Sequence, residues 1–164
     1  MSTPISATPA LVLGSTSRYR QELLSRLKVP FACRAPEVDE TPLHGEAPSA
    51  IAERLALAKA QSVAQLCLQD ANQDVVVIGS DQVADLDGQA LGKPGTHERA
   101  VAQLRAMRGR TVHFHTAVCV LRPGTGFDAC ELDSVSVTFR ELGDDAIETY
   151  LRLEQPYDCA GSAK

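Results

Sequence analysis

Two short stretches of the sequence combine residue types that could act on a phosphate group. Four consecutive β-branched residues, 75–78, predict a buried strand that runs through Gly79 and Ser80 into the carboxylate of Asp81. The C-terminal end of a buried strand is a common place for an α/β protein to present a catalytic carboxylate. The second stretch is Gly92-Lys93-Pro94, where glycine and proline fix the backbone and one lysine is offered. Together they suggest phosphate chemistry with a metal ion; the alternative is a strand, a solvated aspartate and a surface turn.

A third group of polar residues lies near the N-terminus. Residues 10–14 predict a short buried strand, and the following Ser15-Thr16-Ser17-Arg18-Tyr19-Arg20 opens a helix with Ser17 as its N-cap. We expect the apolar face of this helix to carry Leu23, Leu24 and Leu27. Arginines in a first turn oppose the helix dipole, which suggests that the helix start is prepared for an anion such as phosphate. The alternative is a solvated and slightly unfavourable helix start.

An acidic loop and a long helix come next. The loop 35–42 carries Glu37, Asp39 and Glu40 between two prolines, either as a solvated loop or as carboxylates for a divalent cation or a basic group. Pro48 suits the first turn of a helix over 48–68. Its predicted apolar period is Ile51, Leu55, Ala58, Ser62 and Leu66. Lys59 lies next to this stripe, where a lysine is usually a surface residue with a buried stem but could instead reach a phosphate.

Local sequence patterns predict the remaining turns, helices and strands of the chain. Asp87-Gly88 predicts a hairpin, Thr96 caps a helix that stops at Gly109, and Gly143-Asp144-Asp145 opens a last helix. Residues 111–121 and 130–139 alternate as two strands of an antiparallel pair around a Pro-Gly turn.

Length and composition limit the class of protein. A chain of 164 residues predicts one domain, 1–164, and 44% apolar with 23% charged residues is ordinary for a globular protein. No apolar run reaches the length of a membrane span, and residues 1–5 lack the features of a signal peptide, so we expect a cytoplasmic protein without membrane partners. The net charge of −5 argues against a nucleic-acid polymer as partner.

The five cysteines and four histidines contain no metal-ligand spacing. No C-x-x-C pair occurs and the cysteine count is odd, so neither a zinc site nor a disulfide framework is expected. Most cysteines should be reduced and partly buried. His113 and His115 alternate along a strand and should share one face.

The order of these motifs resembles one known family over nearly the whole chain, from Leu11 to Lys164. The motifs are Ser15-Thr16-Ser17-x-x-Arg20, the loop 36–41, Ala58-Lys59-Ala60, Gly79-Ser80-Asp81-Gln82, Gly92-Lys93-Pro94 and Cys159-Ala160-Gly161-Ser162. In this order they resemble the Maf family of nucleoside triphosphate pyrophosphatases, most closely the subfamily that hydrolyses 7-methyl-GTP. The resemblance implies an α/β fold like that of the inosine-triphosphate pyrophosphatases, an elongated mixed sheet with flanking helices and a central cleft.

The resemblance also implies roles for particular residues. Asp81 matches the catalytic carboxylate, and the phosphate-side residues are Ser15, Arg20, Lys59 and Lys93. Asp81 and the acidic loop residues Glu37 and Glu40 match the surroundings of a divalent metal, Mg²⁺ or Mn²⁺. Homodimers and a cytoplasmic location are further expectations from the family.

Two positions indicate which nucleotide base the family resemblance favours. Gln82 stands where relatives acting on dTTP and UTP carry threonine, which favours 7-methyl-GTP as substrate. Tyr19 stands where the 7-methyl-GTP subfamily often has tryptophan, and an aromatic face attracts the cationic 7-methylguanine. The expected activity is hydrolysis of 7-methyl-GTP to 7-methyl-GMP and pyrophosphate. The alternatives are a pyrophosphatase for dTTP, UTP or another modified nucleotide, and a nucleotide-binding regulator of septum formation without turnover.

The chain stops abruptly after a turn of small residues at 160–163. Set against the family resemblance, this stop predicts that the sequence lacks the family's C-terminal end.

Overall fold

The structure is a computed structural model that describes residues 8–70 and 74–164. Within these residues the chain forms six strands and four α-helices, with short 3₁₀ turns at Pro123–Thr125 and Ala160–Ser162. In chain order the elements are β1 (Ala10–Gly14), α1 (Arg18–Ser25), β2 (Ala32–Cys33), α2 (Pro48–Gln69), β3 (Val75–Leu86), β4 (Gln89–Leu91), α3 (His97–Met107), β5 (Thr111–Arg122), β6 (Phe127–Thr138) and α4 (Asp144–Glu154). None of the helices in the described ranges is long and apolar enough to cross a bilayer.

The strands form one mixed sheet in the order β2-β1-β3-β5-β6, with β4 paired to β3. Strand β1 is parallel to both β2 and β3, and Gly14 lies opposite Gly79 in the β1–β3 register. Strand β4 is antiparallel to β3. The predicted α/β class with a mixed sheet is therefore confirmed.

The described chain divides into two compact units, each with its own core. The first unit contains the described residues of 1–40, 54–80 and 118–131. Its buried side chains come from β1, α2 and the start of β3 and include Val12, Leu13, Val63, Val75 and Val77. The second unit contains 41–53, 81–117 and 132–164, with a core from β3, α3, β5 and α4 formed by Ala84, Leu86, Ala100, Leu104, Met107, Val112, Ile147 and Leu151.

Several element boundaries agree with the local sequence signals. Asp87 and Gly88 both have positive φ, 53° and 82°, and join β3 to β4 in a two-residue hairpin. Thr96 caps α3 by accepting a hydrogen bond from the Arg99 amide at 3.3 Å, and Gly109 follows the helix with φ of 67°. Helix α2 begins at Pro48 as predicted.

Three expectations about faces and ends are wrong. Strand β3 does not end at Asp81 but continues to Leu86, so Asp81 lies in mid-strand. Helix α1 buries no residue, and Leu23 and Leu27 of the predicted apolar face are 58% and 68% exposed. The buried stripe of α2 is also different, because Lys59 is part of it while Ala58, Ser62 and Leu66 are partly exposed.

The cysteine expectation is corrected at one pair. Cys119 and Cys130 form a disulfide across β5 and β6, with a Cα–Cα distance of 4.1 Å. The hairpin places the two residues directly opposite each other, a proximity that their spacing of 11 along the chain does not reveal. Cys67 is a buried thiol, as expected, but Cys33 is exposed.

The predicted antiparallel pairing of β5 and β6 and the shared face of the two strand histidines are confirmed. His113 and His115 stack with ring centroids 6.4 Å apart. Each accepts or donates a hydrogen bond across the hairpin, His113 with Ser136 and His115 with Ser134. The second ring nitrogen of His115 lies 3.2 Å from an Asp85 carboxylate oxygen, so the His115 ring links β5 to both β3 and β6.

Candidate active site

The first unit presents a helix start without a side-chain cap. After β1 the chain passes through Ser15, which is 4% exposed, and its Oγ accepts a hydrogen bond from the Ser17 amide at 3.1 Å. Ser17 occupies the N-cap position of α1 as predicted, but its side chain makes no cap hydrogen bond, and the first turn contains no acidic residue. Such a helix start attracts an anion, because its amide groups and the helix dipole both favour negative charge.

Tyr19, in the first turn of α1, has a neighbouring guanidinium group in contact with its ring. The guanidinium carbon of Arg18 lies 4.8 Å from the ring centroid, and an Arg18 nitrogen donates to the Tyr19 hydroxyl at 2.8 Å. Tyr19 is half-buried and Arg18 exposed, so the contact forms at the surface. The ring therefore attracts a positive group by the physics that would attract a cationic base.

Lys59 is the least expected feature of the first unit. It is only 6% exposed, on the stripe of α2 that also buries Ala56, Ala60 and Val63. Its ammonium nitrogen lies 2.7 Å from a carboxylate oxygen of Glu40, whose side chain is 53% exposed. The interpretation of Lys59 as a surface residue is thus wrong. The acidic loop supplies a partner for this basic group, one of the two roles predicted for it.

The backbone of α2 reaches this position because two strand residues, Gly14 and Gly79, have no side chain there. A Cβ added at Gly79 would lie 2.5 Å from the Ala60 nitrogen and 2.8 Å from the Ala60 Cβ, and it would also contact the Ala56 carbonyl. A Cβ at Gly14 would lie 3.3 Å from the Lys59 carbonyl oxygen. Glycines on the strands and alanines on the helix therefore permit the close approach that carries Lys59 into the unit.

The rest of the acidic loop is more exposed. The Glu37 amide donates to the Ser62 hydroxyl of α2 at 2.9 Å, which holds the loop against the helix, while Glu37 itself is exposed. Arg20 of α1 is half-buried.

The second unit carries the predicted catalytic carboxylate. Asp81 is 8% exposed on β3, and Gln82, the next residue along the strand, is exposed. The Gln82 amide donates to the Thr116 hydroxyl of β5 at 2.8 Å. Because successive strand residues point to opposite faces, Asp81 and Gln82 have different surroundings. A carboxylate is one of the side chains that can act as a general base once a water molecule is within hydrogen-bond reach.

Lys93 lies in a short segment that is fixed on both sides. The Gly92 carbonyl accepts two hydrogen bonds, from the Gly161 amide at 3.3 Å and from the Gln103 side chain at 3.0 Å. Pro94 is fully buried and the Gly95 amide donates to the Tyr157 carbonyl at 3.0 Å, whereas Lys93 is exposed. The expectation that one lysine is presented from this Gly-Pro segment is confirmed by the exposure of Lys93, and the hydrogen bonds on both sides agree with a fixed backbone.

Each predicted site residue has a place in one of the two units. The first unit holds Ser15, Tyr19, Arg20, Glu37, Glu40 and Lys59, and the second holds Asp81, Gln82 and Lys93. Contacts between side chains of this set include the Lys59–Glu40 pair. Sequence reasoning missed the contribution of Arg18 to Tyr19 and that of Gln103 to Gly92. The only sequence signal for Arg18 is its place in a first helical turn, and the only signal for Gln103 is that it is a polar residue on a helix.

No group of three or more His, Cys, Asp or Glu side chains that could hold a metal ion occurs among residues 8–70 and 74–164. Magnesium in phosphate-processing sites is usually held by one or two carboxylates together with substrate phosphates. Asp81 in the second unit and Glu37 in the first each carry carboxylate oxygens of the kind that such a metal takes. Their role as ligands stays a prediction.

The mixed sheet, the helix start without a side-chain cap and the buried lysine define an α/β protein whose cations suit an anionic ligand. The Maf-like protein family profile matches residues 10–164, so the chain belongs to this family.

Similar proteins carry a common name. The chain is 65% identical to a 7-methyl-GTP pyrophosphatase of Polaromonas sp. (strain JS666) over 94% of its own length and 68% of that protein. It is 58% identical to the 7-methyl-GTP pyrophosphatase of Albidiferax ferrireducens, over 100% of the chain and 79% of the relative. For the enzyme of the same name from Burkholderia thailandensis the identity is 56%, over 97% and 73%.

Proposed function

We propose that this protein is a nucleoside triphosphate pyrophosphatase that hydrolyses 7-methyl-GTP to 7-methyl-GMP and pyrophosphate. The structural observation that carries the proposal is the buried residue Lys59, which is 6% exposed and whose ammonium nitrogen lies 2.7 Å from a Glu40 carboxylate oxygen. Burying a lysine on the apolar stripe of a helix has a free-energy cost, because the charged group loses hydration. Binding a polyphosphate uses this positive charge and therefore explains why a lysine is retained there. The substrate follows from relatives at 55–65% identity that share the name 7-methyl-GTP pyrophosphatase.

The triphosphate is assigned to the cations and to the helix start. Ser15 and the amides at the start of α1 provide hydrogen-bond donors, and Arg20, Lys59 and Lys93 provide positive charge. The Glu40 carboxylate lies 2.7 Å from the Lys59 ammonium nitrogen. A phosphate oxygen that binds Lys59 competes with Glu40 for the same ammonium group.

Asp81 is assigned to proton transfer. Its carboxylate takes a proton from a water molecule as the water oxygen forms a bond to the α-phosphorus. The bond between the α-phosphorus and the bridging oxygen to the β-phosphate breaks, and that oxygen leaves with pyrophosphate. Positioned general-base catalysis supplies about 10²–10⁴-fold, and the larger share comes from cations that stabilise the charge developing on phosphate oxygens.

We further propose a divalent metal, Mg²⁺ or Mn²⁺, held by Asp81 and the acidic loop residues Glu37 and Glu40 together with the substrate. When bound, the metal neutralises phosphate oxygens. The chain's own residues retain the tasks of binding the phosphates and moving the proton.

Recognition of the base is assigned to Tyr19 and Gln82. Methylation at N7 makes guanine cationic, and the Tyr19 ring already attracts the Arg18 guanidinium. Gln82 has an amide that is fixed by Thr116 and can offer hydrogen bonds to a base edge. By family resemblance we also propose a homodimer in the cytoplasm.

The test is pyrophosphate release from 7-methyl-GTP, GTP, dTTP and UTP with Mg²⁺, for the wild-type chain and Asp81→Asn. We expect release from 7-methyl-GTP well above the other nucleotides, and a loss of at least about 10²-fold in the variant without a change in melting temperature. A preference for dTTP or UTP would contradict the substrate assignment. Binding of nucleotide without turnover by the wild-type chain would instead support a regulator, and a fully active Asp81→Asn variant would exclude Asp81 as the base.

A further inference from the structure

The segment that carries Lys93 is held by a hydrogen-bond network that the proposed reaction does not use directly. The Gly92 carbonyl accepts from the Gln103 side-chain amide of α3 at 3.0 Å and from the Gly161 amide at 3.3 Å. Both donors belong to the second unit, as does Lys93. A carbonyl oxygen has two lone pairs, so these bonds satisfy it fully and fix the peptide that joins Gly92 to Lys93.

Gln103 is itself oriented by a buried serine. The Ser162 hydroxyl donates to the Gln103 side-chain oxygen at 2.5 Å, which leaves the amide nitrogen directed at Gly92. Ser162 is 0% exposed, and the Tyr150 hydroxyl donates to its carbonyl at 3.2 Å. Burial raises the pKa of Tyr150 above its ordinary value, so this hydroxyl remains a donor at neutral pH.

The backbone at Ser162 is strained. Its φ is 55°, in the left-handed region that residues other than glycine, asparagine and aspartate rarely adopt. The preceding Gly161 has φ of 64°, and a Cβ there would lie 3.0 Å from the Ala84 side chain. Strain of this kind persists only where the surroundings hold it in place, and it is concentrated at functional sites.

We infer that Gln103 is a positioning residue for Lys93, and that Ser162 acts by orienting Gln103. Lys93 is exposed, but its neighbours are fixed, Gly92 by the two hydrogen bonds and Pro94 by full burial. The long lysine side chain then leaves an anchored backbone, which limits the positions its ammonium can reach. This assigns a task to Gly161-Ser162, the end of a sequence motif that has no role in the chemistry proposed above.

The inference rests on the proposed role of Lys93 at the phosphates, and a double-mutant cycle tests it. Gln103→Leu keeps the side-chain volume but removes the donor to Gly92. With Lys93 present, we expect kcat/KM for 7-methyl-GTP to fall by about 10- to 100-fold, because small misplacements of a binding group have large effects. In a Lys93→Ala background, the same change should have less than about a twofold effect, because the residue that Gln103 positions is gone.

A matched control is Gln65→Leu, at an exposed glutamine on α2 in the first unit. It should leave kcat/KM unchanged in both backgrounds. Ser162→Ala should reproduce part of the Gln103→Leu effect, again only when Lys93 is present. Equal losses from Gln103→Leu in the two backgrounds would show a merely structural role and overturn the inference, as would full activity of Gln103→Leu.

Failure of the proposed function gives a different result, namely a wild-type chain that releases no pyrophosphate from any nucleotide. The same cycle is then measured on the affinity for inorganic pyrophosphate by calorimetry. Weaker binding by Gln103→Leu only when Lys93 is present supports the positioning role. Equal effects in both backgrounds, or no effect in either, overturn it.

Discussion

The substitution Lys59→Met is expected to lower kcat/KM by at least about 10²-fold while leaving the fold at least as stable as before. Lys59 is 6% exposed on an apolar stripe of α2, and methionine has a similar length without the charge. Replacing a whole buried ion pair with apolar groups is often neutral or stabilising by about 1–4 kcal/mol, whereas removing one partner is destabilising only when the other charge is left buried. Its partner Glu40 is 53% exposed, so water solvates the carboxylate once the lysine is removed. We therefore expect the free energy of unfolding to change by about 0 to +2 kcal/mol.

The reverse substitution, Glu40→Gln, should behave differently. It leaves the buried Lys59 ammonium in place and removes a negative charge 2.7 Å away. Breaking a buried pair from one side typically lowers stability by about 3–5 kcal/mol. Because Glu40 is half exposed, its contribution is smaller, and we expect a loss of about 1–3 kcal/mol. The order of stability predicted from the geometry is thus Lys59→Met at or above wild type, and Glu40→Gln below it.

The assay combines urea unfolding with steady-state kinetics on 7-methyl-GTP. Lys59→Met should lose at least about 10²-fold in kcat/KM, since a cation that stabilises developing charge is removed. Lys28→Met, at an exposed lysine, is the control and should change neither stability nor kinetics. If Lys59→Met is less stable than Glu40→Gln, the charge of Lys59 supports the fold and the argument for a functional buried cation fails. Normal turnover by Lys59→Met would refute its assignment to the phosphates.

Three further predictions concern recognition, packing and pH. Tyr19→Ala should raise KM for 7-methyl-GTP several-fold more than KM for GTP, because only the methylated base is cationic; equal changes would refute stacking. Gly79→Ala should lower the free energy of unfolding by about 3 kcal/mol, because the new methyl group would lie 2.5 Å from a backbone nitrogen of α2. Gly143→Ala, at the N-cap of α4 with open space around it, should lower it by less than about 1 kcal/mol in urea unfolding. The hydrogen bond from Arg105 lowers the pKa of Asp144. The ionised carboxylate therefore contributes to the free energy of unfolding above about pH 4, and this contribution is lost as the pH falls through the lowered pKa. The melting temperature of Asp144→Asn should accordingly lie below wild type at pH 7 and converge with it in acid; a constant difference would contradict this account.

Element ends were predictable because they depend on a few neighbouring residues. The Asp87-Gly88 hairpin requires two positive φ values, which this dipeptide adopts readily. Thr96 caps α3 through its own side chain, and Gly109 takes the left-handed conformation that follows the helix. None of these choices depends on what packs against the element.

Faces and pairings were less predictable because they depend on distant parts of the chain. Helix α2 is rich in alanine and leucine all round, so its periodicity did not show that Lys59 belongs to the buried stripe. The leucines of α1 look like an apolar face, yet no residue of that helix is buried. The Cys119–Cys130 disulfide follows from the register of a hairpin, which the cysteine spacing alone does not indicate.

The candidate site divides in the same way. The sequence by itself determined the chemical groups and their family, because six short motifs in order specify which carboxylates, cations and aromatic ring are present. Only the tertiary structure decided that Lys59 is buried against Glu40 and that Gln103 and Ser162 hold the backbone before Lys93. The identity of a side chain is a local property. Its burial and its hydrogen-bond partners are set by residues 11 or more positions away, which only the folded chain brings together.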